Sequence, residues 1–311
     1  MRTLLLLSVI FTWLCAGSAR AGDDIDLANV PVAPGMDQPP PVGRAQIIGL
    51  DRLSSPHSWF GGWSGMAWDG DDLVLVSDLG HWARLRPVLA ASGRPTAVDL
   101  VAHGPLGDVG TDKKWADAEE ILRTDHGWAV AFERRHRVWI YPDRLDGPHV
   151  ALSTPVAMAD LSANGGIEAM TILADGRWLL IAEGDQDRPD SPAWVGRPGE
   201  WRPLRFRHHG LFRPTGAVTL PGGDVVVVER RFTMIGGPAL RLVGIKASAI
   251  GEDETIGGEE LALILAPLAV DNFESIAVRR RPDGRLVALI LADDNFNPLQ
   301  STLLLTVLLP E

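Results

Sequence analysis

A short unit of strand, turn and strand recurs five times in this chain, and most of its copies end in an acidic residue. The clearest copy spans residues 214–232. Residues 217–220 form an apolar run, Pro221-Gly222-Gly223 a turn, and residues 224–228 a β-branched run closed by Glu229. That is the pattern of a β-hairpin, which folds back so that Gly216 and Glu229 lie side by side at its open end. Related copies turn at Asp69-Gly70-Asp71, at Asp125-His126-Gly127, at Asp175-Gly176 and at Pro282-Asp283-Gly284. Their opening positions, Gly65, Glu119, Glu168, Gly216 and Glu274, are spaced by 54, 49, 48 and 58 residues. A self-similar unit of about 50 residues, made of strands and turns, has the period of a β-propeller blade.

Each blade needs two further strands. They are expected at residues 83–89 and 96–102, 137–141 and 150–154, 193–196 and 203–207, 239–245 and 260–266, and, in the last blade, 301–309 alone. The missing strand is available at residues 44–50. Pairing it into the last blade closes the ring and removes an open edge. The expected fold is therefore all-β, a propeller of five four-stranded blades closed by an N-terminal strand and occupying residues 44–311 as one domain. Six blades are the alternative count. No long amphipathic helix interrupts the pattern.

Residues 1–21 differ in kind. Arg2, the apolar stretch 4–15 and Ala19-Arg20-Ala21 make a secretory signal with cleavage expected after Ala21. The apolar stretch is too short to span a bilayer. Cys15 is preceded by Trp13-Leu14, which does not fit a lipid-anchor site. The chain is thus expected to be periplasmic or secreted, with no membrane span after cleavage. Residues 22–43, rich in Pro and Asp, are expected to form a flexible leader. Loss of Arg2 and Arg20 from 29 basic against 40 acidic residues takes the net charge from -11 to about −13, and loss of Cys15 removes the only thiol. So acidic a protein has no electrostatic footprint for nucleic acid or anionic lipid, and it attracts cations. A monomer is expected.

If each hairpin supplies the two innermost strands of its blade, Asp78, Glu119, Glu133, Glu168, Glu183, Glu229, Glu274 and Asp293 gather at one mouth of the central channel. Crowded carboxylates repel and hold their protons more tightly unless cations intervene. One remedy is internal: Arg84, Arg134, Arg230 and Arg231 lie next to closing acids, which suits a structural ion-pair network. The other is a metal. Oxygen donors without cysteine suit Ca²⁺ best, with Mg²⁺ or Mn²⁺ as alternatives. Asp78, Glu119, Glu168, Glu183, Glu229, Glu274 and Asp293 are the candidate ligands. Glu119, Glu168 and Glu274, with Arg134 and Arg230 as anion clamps, are the candidate catalytic groups for metal-assisted hydrolysis of a phosphate ester or another small anionic ester. The alternative is a non-catalytic propeller that binds a ligand or partner at the same mouth.

Nucleophilic chemistry is poorly supported. Gly62-Trp63-Ser64-Gly65-Met66 lacks the last glycine of a nucleophile elbow, and Ser64 opens a hairpin where an elbow needs a strand-to-helix turn. His57 and His81 flank the first hairpin as possible acid or base groups. The adjacent side chains of His208-His209 diverge, which disfavours a shared metal. Trp68, Trp128 and Trp178 are expected to pack between blades, whereas Trp59, Trp63, Trp82 and Trp115 sit beside Gly- and His-containing loops where packing and ligand stacking compete.

The segments 60–66, Asp117-Ala118-Glu119, Asn164-Gly165-Gly166-Ile167-Glu168, Glu229-Arg230-Arg231-Phe232, Asp271-Asn272-Phe273-Glu274 and 293–302 resemble, in order and in hairpin placement, the phytase-like family with esterase-like activity. The resemblance spans about residues 44–309. It implies an exported bacterial propeller and points to ester or phosphoester hydrolysis. No segment resembles the site motifs of the calcium-dependent propeller phytases, so no catalytic residue carries over from them.

Overall fold

A computed structural model describes residues 25–310 except 34, 36–38, 143, 186–187 and 252, so the expected signal lies outside the described residues. It is a five-bladed β-propeller. Blade one comprises Trp63–Asp69, Asp72–Ser77, His81–Leu89 and Pro95–Pro105. Blade two comprises Ala118–Thr124, Gly127–Phe132, Arg137–Tyr141 and Val150–Ala151. Blade three comprises Ile167–Ile172, Trp178–Ala182, Asp190–Arg197 and Glu200–Arg207, with the short strand Thr255–Ile256 added in parallel at its edge. Blade four comprises Arg213–Thr219, Val225–Thr233, Gly237–Ile245 and Glu259–Leu265. Blade five comprises Asn272–Arg280, Leu286–Asp293 and Leu303–Leu308, and Ala45–Ser54 completes it by pairing antiparallel with Leu303–Leu308. The ring is thus closed by an N-terminal strand.

The second strand of each blade is apolar on both faces because each blade is sandwiched between two others. Successive side chains in a strand point to opposite faces. In blade four, Val225 and Val227 therefore join a core with Leu179 and Ile181 of blade three, while Val226 and Val228 join one with Ile276 and Ile290 of blade five. Leu73 and Leu75 of blade one likewise meet Leu289 and Leu291 of blade five, and Val74 and Val76 meet Val130 and Phe132 of blade two. Ala129 and Ala131 with Leu180 and Ala182 fill the fifth seam, between blades two and three. Five blades thus give five seams, each filled by its own cluster of buried side chains. Among the described residues, no helix is long and apolar enough to cross a membrane.

The leader departs from its expected state. Asp26–Val30 forms a strand against Ala45–Ser54, in register from Asp26 opposite Ser54 to Val30 opposite Leu50. Pro41–Val42 pairs with the start of the same strand. Ile25 and Val32 are buried in the seams of blade five, and the Val32 carbonyl accepts a hydrogen bond from Ala269 N at 2.7 Å. A few apolar side chains at strand spacing suffice to dock a segment onto an existing edge, and its Pro- and Asp-rich composition hides them.

Candidate functional site

All five inner hairpins carry the same defect. Their ladders slip by one residue between Trp63 and Gly65, Ala118 and Glu120, Ile167 and Ala169, Pro214 and Gly216, and Phe273 and Ser275. The extra residue of such a bulge leaves the ladder, and its side chain is re-aimed. The bulged residues are Ser64, Glu119, Glu168, Thr215 and Glu274. Across each hairpin from the bulge stand Asp78, Glu133 and Glu183, each just past its strand, Asp293 at the end of its strand, and Arg230 within the longer strand Val225–Thr233. The backbone N–H groups of Asp78, Glu133 and Glu183 donate to the carbonyls of Gly62, Asp117 and Gly166, each two residues before the bulged position. Arg230 and Asp293 face Arg213 and Asn272 in the same way. Fivefold equivalence is therefore set by the backbone, and the side chains placed on it differ.

All of these positions except Thr215 line a cavity of about 190 Å³ at the channel mouth. Eight carboxylates line it, those of Asp78, Asp117, Glu119, Glu133, Glu168, Glu183, Glu274 and Asp293, against three cations, Lys113, Arg134 and Arg230. Lys113 is hydrogen-bonded to Asp78 and lies 3.5 Å from Asp117, while Arg134 is hydrogen-bonded to Asp117. Arg230 reaches two blades, with Nε 3.4 Å from Glu274 and Nη2 3.8 Å from Glu183. Asn272 Nδ2 donates to Glu274 at 2.5 Å, and Asn295 N donates to Asp293 at 2.7 Å. Among the described residues, neither a hydrogen bond nor an ion pair within 4 Å neutralises Glu119 or Glu168.

The acid excess shows in the proton affinities. Burial, and then the charges of Asp117, Glu133 and Glu274, hold Glu119 well above the usual carboxylate range, and burial with Glu119 and Glu274 does the same to Glu168. Glu133 is pushed up to about 7 and Asp293 to about 8, in both cases chiefly by burial. Burial also raises Asp78, Glu183 and Glu274. Arg230 is held more firmly protonated by Glu274. Asp117, Glu119 and Glu133 each offer an oxygen within 4.8 Å of the others, a spacing at which three carboxylates can share one cation.

Of the expected ligands, the structure brings together Asp78, Glu119, Glu168, Glu183, Glu274 and Asp293, together with the clamps Arg134 and Arg230. Glu229 is a correction. It lies one residue before the rim, still in the ladder opposite Pro214 and Arg241. There it is fully buried and paired with Arg241 Nη1 at 3.2 Å, with burial pushing its carboxyl up to about 7. Arg230 takes the rim position that an acid holds in the other blades. The openers assigned to Gly65 and Gly216 also move by one, to Ser64 and Thr215.

Sequence reasoning missed Asp117, Lys113 and Asn164. Asp117 was legible as the first letter of Asp117-Ala118-Glu119, whereas Lys113 arrives on the one-turn helix Lys113–Ala116, which belongs to no repeat. Ser64 does line the cavity. His57, His81 and His103 lie outside it, gathered around Trp59, whose ring stacks on His103 at 4.2 Å. His208 is buried beside Arg213, and His209 points outward. Trp63, Trp128 and Trp178 are core residues, and Trp68 lies under Arg279 at 4.5 Å. Trp82 packs, partly buried, on the seam between blades one and two. Trp115 is covered by Arg135 at 3.9 Å.

Among curated proteins none matches the chain. Solved structures of similar outline include a protein of unknown function from Dyadobacter fermentans, at 10% identity and TM-score 0.45, covering 89% of this chain and 87% of that one. Glutaminyl cyclase from Myxococcus xanthus aligns at 12% identity and TM-score 0.42, over 88% and 100% of the two chains. A GH43_1 enzyme from Xanthomonas citri aligns at 14% identity and TM-score 0.46, over 80% and 87%. At such scores these likenesses carry no argument about chemistry. The sequence itself is decisive: residues 58–296 match the phytase-like family described as "Esterase-like activity of phytase", and the chain belongs to that family.

Proposed function

We propose that this chain is an exported hydrolase of phosphate esters or other anionic esters, working with a divalent cation at the acid-lined mouth. The observation that carries the reading is the unbalanced cavity, where eight carboxylates face three cations and, among the described residues, Glu119 and Glu168 have neither a hydrogen bond nor an ion pair within 4 Å. The donors fit a hard cation: they are all oxygen, in excess, and three of them converge within 4.8 Å. Asp117, Glu119 and Glu133 would hold it, with Ca²⁺ as the first choice and Mg²⁺ or Mn²⁺ behind it. A cation bound there supplies Lewis-acid charge stabilisation and makes water a better nucleophile.

The chain's own groups account for the rest. Arg230, on blade four, lines the same cavity as Asp117 and can turn from Glu274 and Glu183 toward an anionic head. Arg134 and Lys113 offer charge on the near side. Asp293, pushed up to about 8 chiefly by burial, exchanges protons near neutral pH, as an acid or base serving a leaving alcohol must. Glu168 and Glu274 complete the wall and keep the head oriented by the charge they place around it.

The test is turnover of a phosphomonoester and a carboxylic ester with Ca²⁺, Mg²⁺ or Mn²⁺ and with EDTA as control. Metal-dependent turnover that falls at least about a hundredfold in Glu119→Gln is expected. A cation-dependent rise in melting temperature without turnover of either ester would leave a binding propeller in its place.

A further inference from the structure

The acid cavity opens sideways into a second one. A groove of about 700 Å³ shares Arg230, Glu274 and Asn295 with it and runs outward between the rims of blades four and five. Beyond the shared residues its lining is mixed: Arg231, Asp271, Asn272, Asn297 and Gln300 are charged or amidic, and Phe232, Pro238 and Leu299 are apolar. Phe232 is 69% and Leu299 92% exposed.

Leu299 does not stand on a loose loop. Asp294 accepts from Gly62 N and Phe296 N, both at 3.0 Å, and from Thr302 Oγ1 at 3.0 Å. Gln300 Nε2 donates to Asp271 at 3.1 Å. Asn295 and Phe296 hold φ of 50° and 49°, a region that side chains other than glycine enter at a cost. A tied-down segment in a strained conformation presents an apolar side chain to water, in the same groove as an exposed phenyl ring. Met234 and Ile235, at the tip of the strand pair that carries Phe232, are also bare. Apolar groups gathered beside a site mark a binding surface more often than groups scattered singly.

Size separates the two chambers. About 190 Å³ takes an ion and a small anionic head and little else, whereas about 700 Å³ lies within the range of organic-ligand pockets. We propose that the groove between Phe232 and Leu299 seats an apolar arm, alkyl or aryl, of an ester whose anionic head enters the acid cavity. The substrate class is then a hydrophobic monoester of phosphate, and small polyol phosphates are poor substrates. This rests on the acid cavity binding an anionic ester.

The test compares n-hexyl phosphate with ethyl phosphate, whose leaving alcohols are of similar basicity, using the full chain with Ca²⁺. A kcat/KM about tenfold higher for the hexyl ester is expected. In Phe232→Ser/Leu299→Ser the ratio approaches one while the ethyl ester and the melting temperature are unchanged. Equal kcat/KM for both esters in the unaltered protein, or a preference that the double variant retains, overturns the groove and leaves hydrolysis standing. Should neither ester be hydrolysed, the hydrolase reading fails separately. Calorimetry with hexylphosphonate and ethylphosphonate then decides. Tighter hexyl binding that the double variant loses sustains the groove, and equal or absent binding overturns it.

Discussion

Blades three and four are built from the same hairpin with the same bulge, yet they bring opposite charge to the channel. Blade three places Glu168 on the bulge and Glu183 across from it; blade four places Thr215 and Arg230. Blade four keeps an acid one residue earlier, but Glu229 is sealed in the ladder against Arg241. The repeat thus fixes where side chains enter the mouth, and the identity at each place is free. One substitution of sign makes a fivefold scaffold into a one-sided site. Arg230 bridges Glu183 and Glu274 on its side, and the unpaired acids lie toward blades two and three.

The sharpest way to break this comparison is to remove blade four's own acid. Glu229 and Arg241 have side chains 0% and 3% exposed, and deleting one partner of a buried pair costs about 3–5 kcal/mol. Because Arg241 retains Glu260 at 3.0 Å, Glu229→Ala falls at the lower end of that range, read by urea denaturation. Its cation response is unchanged, because the carboxyl is not at the mouth. A lost cation response in a folded Glu229→Ala protein would return Glu229 to the site.

Next comes the proton and cation balance on the acid side. Folding raises Glu133 from 4.5 to about 7 and Asp293 from 3.8 to about 8, so across that window the folded chain holds protons that the unfolded chain has lost. More protons in the native state means that stability falls as pH rises. The cation-free protein is therefore expected to melt at progressively lower temperature as pH rises from about 5 through the Asp293 value of about 8. A cation displaces those protons, so Ca²⁺ flattens the slope and stabilises more at pH 8 than at pH 5. At a hundredfold excess over Kd the gain is about 2.7 kcal/mol, or roughly 5–10 °C for a domain of this size. A melting temperature that rises from pH 5 to pH 8 in EDTA would contradict the acid-side picture.

How much of this was legible follows the same contrast. Repeat spacing and alternating apolar runs announced five blades, since period and burial are written in residue types. Blade three's Glu168 and Glu183 were legible as hairpin ends. Blade four misled because a bulge shifts the side-chain phase without leaving a mark in composition, and a shift of one residue moves a side chain to the other face. Thus Pro214-Thr215-Gly216 read as opening on the glycine, and Glu229 read as the closing acid ahead of Arg230. Lys113 and the docked strand Asp26–Val30 were illegible for another reason: neither belongs to the repeat.

Erasing the difference in sign is the third step. Arg230→Gln removes the ion pairs to Glu274 and Glu183. Its side chain is one-third exposed, so the cost is moderate, about 1–2 kcal/mol. Two more carboxylates are then uncompensated, and the melting-temperature gain from Ca²⁺ becomes larger than in the unaltered protein. An identical gain would mean that Arg230 does not compete with a cation for those acids.

The smallest effect concerns the other half of the contrast, the bulged residue itself. Where blade three has Glu168, blade four has Thr215, which is buried and donates through Oγ1 to the Phe273 carbonyl of blade five at 3.1 Å. Its hydroxyl is occupied as a latch between neighbouring inner strands, directly behind Glu274. Next to it, a Cβ on Gly216 would meet the Glu274 carbonyl at 2.8 Å, so the two strands already touch and no water can replace the lost donor. Thr215→Val keeps the shape and leaves that carbonyl short of a partner, which costs about 1 kcal/mol. Stability measured in urea should fall by that amount while the Ca²⁺ response stays as it was. A changed Ca²⁺ response at unchanged stability would instead make Thr215 a participant at the mouth, and blade four would then contribute two polar groups where the geometry gives it one.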